Sequence, residues 1–416
     1  MTSQLPSNAN LKQLRHRAKD LLKAHKNGNP SCCVILRNLH RFEGKTDQEI
    51  GDSDVSLVDV QFAIALEYGF KGWRDMKEHV TEASGERAPG QLDMPAPGNE
   101  PGNTYARGIS AALSYLGTEM SYDQVMGLSG VAFILQLDTS GPFIDEELDC
   151  AWWPNDAWGF DLGLPVLSQA AGWELRKVRH DVESHRIDAA AEYRRAFASV
   201  VEQSLAAGKP VLAEHDHCFI VTAIDAQEPP LLGYGTRGKS TQFEDVFRIS
   251  CHPWGLIVFG KAFTPRSSEE MDLASLCHII ALFNEQAQGA HAPETRFSGR
   301  QAWAEWLNLL RAGSACDNNM LIHLRYNRRS AVAYLRHMLT RYSGDVAKHL
   351  SAAVDLYQRV VDDAMQQGLP WNRVKNGEDE QIVRSEYTAM VERVSQTETQ
   401  AVAELEAAAA SMSATP

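Results

Sequence analysis

Between Gly208 and Asp225 the chain reads Gly-Lys-Pro-Val-Leu-Ala-Glu-His-Asp-His-Cys-Phe-Ile-Val-Thr-Ala-Ile-Asp, two short apolar runs meeting at a histidine-rich junction. Runs of that length and composition predict strands at Pro210–Glu214 and Cys218–Ile224. Further strands are expected at 173–178, 231–234, 246–249 and 256–259, and helices at 104–116, 163–171 and 189–207. Helices first and an antiparallel strand series afterwards is an α+β arrangement, not an alternating doubly wound one.

Composition bounds what such a chain can be. With 416 residues, 44% hydrophobic and 23% charged, it can bury a substantial core, and its length suggests two or three domains. The excess of 54 acidic over 40 basic residues, a formal charge of -14, argues against a general nucleic-acid binder, because polyphosphate would be repelled. No apolar run approaches the roughly 20 residues that cross a bilayer, and no basic segment with an apolar stretch opens the chain. A cytoplasmic protein without membrane contact is expected. Seven cysteines, irregularly spaced from Cys32 to Cys316, fit reduced thiols rather than a disulfide framework.

The chain reads in four stretches. Residues 1–82 show helical periodicity, with Leu11, Leu14, Ala18, Leu21 and Leu22 on one face of a helix that stops at Asn27-Gly28-Asn29-Pro30. Nine Lys/Arg against four Asp/Glu in residues 1–50 sit opposite these apolar stripes and read as a solvated face. Residues 83–102, rich in Pro and Gly, read as a linker. Residues 103–290 form the α+β domain. Residues 291–410 form a helical region with stripes at Trp303/Trp306/Leu307/Leu310, Ala331/Tyr334/Leu335/Met338 and Leu350/Ala353/Leu356/Val360/Val361. Arg325, Arg328, Arg329 and Arg336 make a basic cluster, read first as a solvated face and otherwise as facing a carboxylate or phosphate. The alanine- and glutamate-rich stretch from Glu380 to Ala410 reads as a lone helix that either frays or forms a homodimer.

The order of a helix, the turn Gly127-Leu-Ser-Gly130, then Gly208-Lys-Pro-Val-Leu and His217-Cys-Phe-Ile-Val-Thr-Ala-Ile-Asp resembles the papain-like fold of bacteriocin-leader proteases and of the butirosin-biosynthesis acyltransferase family. The resemblance runs from about residue 103 to 260. The string Gln61-Phe-Ala-Ile-Ala-Leu-Glu-Tyr-Gly-Phe-Lys-Gly-Trp73 separately resembles a small helical module at the front of assorted bacterial proteins. The papain-like resemblance implies a cysteine thiolate at a helix N-terminus and a histidine at the start of a later strand that takes and returns its proton. His217 matches that histidine. Thr104 or Tyr105 stands where the cysteine would be, and the Gly233-Tyr-Gly235 region lacks the usual Asp or Asn orienting residue.

The expectation is therefore a binding or accessory protein on a degenerate acyl-transfer fold, in bacterial specialised metabolism or regulation. Its partner would be a small polar ligand or acyl donor. The alternative is an active acyltransferase or amide hydrolase with His217 as base and Cys150 or Thr104 as nucleophile; the ordinary role for Thr104 is an N-cap. A second alternative is a helical interaction protein with a large exposed apolar patch on its outer helices. Trp152, Trp153 and Trp158 with Asn155 and Asp156 read either as a pocket wall or as plain packing, since indole faces bind flat or cationic groups. Glu214, Tyr234 and Arg237 are further ligand-binding candidates, the Gly233-Tyr-Gly-Thr-Arg-Gly238 segment being a turn by default and an anion cradle otherwise. His215 and His217 would project to one side of a strand and could share Zn²⁺ or Fe²⁺ if Glu174, Asp225 or His252 approached. Hydrogen-bonded strand histidines are the plainer reading, so no metal or other cofactor is assigned.

Overall fold

The computed structural model describes residues 11–73, 76, 91–98, 102–138, 156–179, 196–214, 218–224, 231–235, 244–248, 255–284, 296–313 and 318–414. The chain divides between Pro89 and Gly90 into two compact units. Among the described residues no helix is long and apolar enough to cross a membrane.

In the first unit, helices α1 (Leu11–Lys26), α2 (Cys33–Leu36), α3 (Asp47–Gly51) and α4 (Leu57–Glu67) share a small core. The stop after α1 is local chemistry: Asn29 Oδ1 accepts the Ser31 N–H at 3.0 Å and Pro30 opens a 3-10 turn. Helix α3 escapes a periodicity reading because only Ile50 of its five residues is buried. A capping box makes it a helix instead, Thr46 and Glu49 each satisfying the other's backbone N–H. Cys32 and Cys33 are buried in this core, and burial pushes the Cys32 thiol up to about 11. It is a packed, protonated thiol at neutral pH.

The second unit is built on a six-stranded antiparallel sheet in the order β2-β7-β3-β4-β5-β6. Its strands are β2 (Trp173–Arg179), β3 (Val211–Glu214), β4 (Cys218–Ile224), β5 (Leu231–Gly235), β6 (Glu244–Arg248) and β7 (Gly255–Ala262). In the middle of the sheet Leu212 lies opposite Ile220 on one side and Ile257 on the other. One face presents Leu212, Cys218, Ile220, Ile257 and Phe259 to Tyr105, Ala106 and Ile109 of α5 (Thr104–Tyr115). The opposite face presents Val211, Ala213, Phe219, Val221, Leu256 and Val258 to Phe197 and to Val201 of the helix Ala198–Ala206. With both faces covered, β3 and β4 carry no polar alternation, which is why they read as continuous apolar runs.

The α5 side of the sheet is thickened by α6 (Tyr122–Leu128), α7 (Asp156–Ala171) and, after the helix Ala198–Ala206, here α8, by α9 (Ser268–Phe283). A two-stranded ribbon, β1 (Gln136–Asp138) with β8 (Arg296–Ser298), leads into α10 (Gly299–Arg311). Then come α11 (Asn318–Leu339), α12 (Gly344–Gln366), α13 (Pro370–Lys375) and α14 (Glu380–Ser413). Helices α11, α12 and α14 share one core with the sheet: Met126 and Phe133 pack in the same cluster as Tyr334, Leu335, Leu350, Tyr357 and Leu405, while α10 packs in a second cluster around Trp303 and Trp306.

Two expectations for the C-terminal region change here. Helix α14 is not a lone helix. Val383, Tyr387, Met390, Val394, Ala401 and Leu405 are buried within the chain, and α14 packs along α12. The arginine cluster divides: Arg329 and Arg336 are exposed, as a solvated face would have them, but Arg328 and Arg325 are not. Arg328 is 1% exposed and pairs with Glu398, which is 0% exposed, one of its two bonds measuring 3.0 Å. Arg328 also donates to the carbonyls of Ala132 at 2.8 Å and Ile134 at 3.3 Å, while Trp303 Nε1–H donates to Glu398 at 2.9 Å. The ion pair thus ties the segment after Gly127-Leu-Ser-Gly130 to α11 and α14. Arg325 caps the end of α12 instead, donating to the Ala364 carbonyl at 2.8 Å and to that of Gln367.

Candidate functional site

Helix α5 starts against the first residue of β4. Asn103 is its N-cap, the side-chain oxygen accepting from Ala106 N–H at 3.0 Å. Thr104 is the first helical residue, one place later than the cap role expected of it. Its Oγ1 accepts the Cys218 backbone N–H at 3.0 Å, and the residue is 3% exposed. The Thr104 hydroxyl, a nucleophile candidate in the sequence, is therefore packed shut and engaged with the residue that directly follows His217 in the chain. Asn103 is buried too, and its Nδ2 has no hydrogen-bond partner among the described residues.

The thiol next to this contact is equally closed. Cys218 is buried, and its Sγ lies 2.9 Å from where a Cβ on Gly108 would stand. Burial raises its pKa well above the ordinary thiol value, the neighbouring Glu214 charge raises it further, and Arg107 only partly offsets them. At neutral pH this is a thiol without thiolate character. Glu214, 5% exposed at the end of β3, pairs with Lys177 Nζ of β2 at 2.7 Å. Burial pulls the Lys177 pKa down while the Glu214 carboxylate works against that pull. Glu214 is thus held in a buried ion pair with Lys177.

Tyr234 points elsewhere. Its hydroxyl donates to the Met94 carbonyl at 2.6 Å, tying β5 to a stretch of chain ahead of α5. The glycines beside it serve packing: a Cβ on Gly233 would stand 1.9 Å from the Ile220 carbonyl oxygen, and one on Gly235 2.1 Å from the Phe219 ring. Both belong to β5, so this part of the suggested anion cradle is strand. Glu174 lies against Gly260 and Lys261, at the far end of β7 from the Gly255 that pairs with Glu214. Five residues of strand span about 17 Å, which takes Glu174 away from the β3–β4 junction as a metal ligand. Among the described residues no cluster of three His, Cys, Asp or Glu could hold a metal ion.

Cys150, Trp152, Trp153, Asn155, His215, His217, Asp225, Arg237 and His252 lie outside the described residues, as do the side chains of Asp156 and Trp158 at the start of α7. Of the site residues that are described, Thr104 and Glu214 come close to Cys218 and Tyr234 does not join them. Sequence reading missed Asn103, Lys177 and Arg107. Asn103 carried a legible signal, an Asn directly before a periodic helical run. Lys177 and Arg107 carried none, since a cation's partner across a sheet is invisible to local spacing. No protein-family model matches the chain, and no curated protein sequence does.

Proposed function

We infer that the protein is a small-molecule-binding or accessory protein on a degenerate papain-like acyl-transfer fold, using the surroundings of His217 and the Trp152/Trp153/Trp158 loop to hold a small polar ligand. The observation that carries this reading is the state of Thr104. A nucleophile must reach an acyl carbon with a free lone pair and hand its proton to a base. The Thr104 hydroxyl is buried and accepts the Cys218 N–H at 3.0 Å, a structural role that leaves it poorly placed for attack. Cys218, the one thiol beside it among the described residues, is buried and protonated. The helical-interaction alternative would draw on Val34, Val58 and Phe62 of the N-terminal helices and on Met365 and Ile382 of the C-terminal ones, the exposed large apolar side chains of those helices among the described residues.

The test is acylation. Incubation with p-nitrophenyl acetate or an acetyl thioester, read by intact mass and peptide mapping, leaves Thr104 and Cys218 unmodified in this account, and Thr104→Ala leaves the acylation pattern of the folded protein unchanged. Transient acylation of Thr104, lost in His217→Ala, would replace the binding reading with the acyltransferase one. The binding half is read by tryptophan fluorescence: a panel of small amines, amides and carboxylates contains quenchers whose effect disappears in Trp153→Ala and His217→Ala. A panel with no quencher dependent on those residues counts against a ligand site there.

A further inference from the structure

Strand β4 carries a bulge. Val221 pairs with Gly233 and the next pair is Ala223 with Leu232, so Thr222 has no opposite number on β5. A bulged residue drops out of the ladder and its backbone groups are free for another partner. Here the Thr222 carbonyl accepts the Leu92 N–H at 2.9 Å. Two residues on, the Met94 carbonyl accepts the Tyr234 hydroxyl at 2.6 Å, and Met94 is 3% exposed in the core. Residues 91–98, by which the chain leaves the unit ending at Pro89, are therefore strapped onto the sheet although they form neither helix nor strand. The far end of the strap is held from α5: Arg107 donates to the Gly98 carbonyl at 3.4 Å and to the Gly102 carbonyl at 3.3 Å. Arg107 lies one turn after Asn103 and one residue before Gly108, which covers the Cys218 thiol.

We propose that residues 91–98 are a latch: docked on the β4 bulge and gripped by Arg107, they hold the first turn of α5 closed over Cys218, and undocking them opens that turn. A segment with no helix or strand of its own, and with Asp93, Pro95, Ala96 and Gly98 exposed, belongs to the low-stability end of a fold, where opening precedes global unfolding.

Cys218 is the reporter, because a fully buried thiol is alkylated only when the structure above it opens. Iodoacetamide labelling with peptide mapping is followed on the intact chain, with exposed Cys277 as the accessible control and buried Cys32 and Cys33 as the control for the other unit. Leu92→Pro removes the strap's donor to Thr222 without touching the sheet, and Tyr234→Phe removes the bond to Met94. Each variant is expected to speed Cys218 labelling by about fivefold, the worth of one net hydrogen bond. The rate should depend weakly on urea, Cys32 and Cys33 should be unchanged, and hydrogen exchange over residues 91–98 should rise in parallel. Cys218 rates equal to wild type in both variants would overturn the latch. So would labelling with the full urea dependence of global unfolding, or strap exchange that neither substitution raises.

Discussion

Thr104 is the residue on which the functional reading turns, and its structural role can be measured directly. Thr104→Val keeps the shape and removes the acceptor for the buried Cys218 N–H, which then has no partner; the cost is about 1–3 kcal/mol, read as a lower urea midpoint. A change under about 0.5 kcal/mol would mean that the hydroxyl is not committed to that amide. A second residue sets a pH dependence. His278 sits against the Gly127-Leu-Ser-Gly130 turn, its Nε2–H donating to the Ser129 carbonyl at 3.1 Å, and burial holds its pKa below the ordinary histidine value. The unfolded chain therefore binds a proton at a higher pH than the folded one. Its contribution to stability is complete above the ordinary histidine value of about 6.5 and is lost as pH falls from there toward the depressed folded value. His278→Gln, which keeps a donor for Ser129, should flatten the loss of stability between about pH 7 and pH 5; an unchanged pH profile would assign that loss to other groups.

At the level of elements, the strands were the most legible part of the chain. Cys218–Ile224 forms as read, and β2, β3, β5 and β7 form within a few residues of their expected ends; for β3, β4 and the first part of β7 this is because runs buried on both faces announce themselves in composition alone. The Gly127-Leu-Ser-Gly130 stretch is a turn only at its end: Gly127 and Leu128 close helix α6 and Gly130 alone takes a positive φ, while the close approach at Gly127 has a cause the sequence does not show. A Cβ on Gly127 would stand 2.0 Å from the Tyr334 ring, so this glycine exists to let α6 meet α11, more than 200 residues later. Gly127→Ala should cost about 1–3 kcal/mol, and the penalty should shrink in a Tyr334→Leu background, where the obstructing ring is gone. Equal penalties in both backgrounds would place the strain elsewhere. The β4 bulge was beyond sequence reading, since a one-residue offset in pairing leaves no trace in periodicity, and the proline- and glycine-rich segment docked on it reads locally as linker.

For the second unit as a whole, α11, α12 and α14 share the core of the sheet, α10 packs in a second cluster around Trp303 and Trp306, and the buried pair of Arg328 with Glu398, to which Trp303 donates, joins the two. Locally, four arginines on one helix look like a solvated face; the carboxylate that buries one of them lies 70 residues away. Removing one member leaves the other charged and unpaired in the interior, so Glu398→Gln should destabilise the second unit by about 3–5 kcal/mol, measured by urea unfolding. The double replacement Arg328→Met with Glu398→Leu should recover most of that loss, and a double variant as unstable as the single one would mean that the pair does more than satisfy itself. The central functional proposal is that Thr104 has a structural role and that no cysteine is activated by His217. Its most direct measurement is the alkylation rate of every cysteine between pH 6 and pH 9, mapped by peptide, in wild type and in His217→Ala. The account predicts slow reaction at Cys218 and Cys150 with no dependence on His217. Fast reaction of Cys150 at neutral pH that slows on removal of His217 would contradict it, because that is the behaviour of a thiolate paired with a catalytic base.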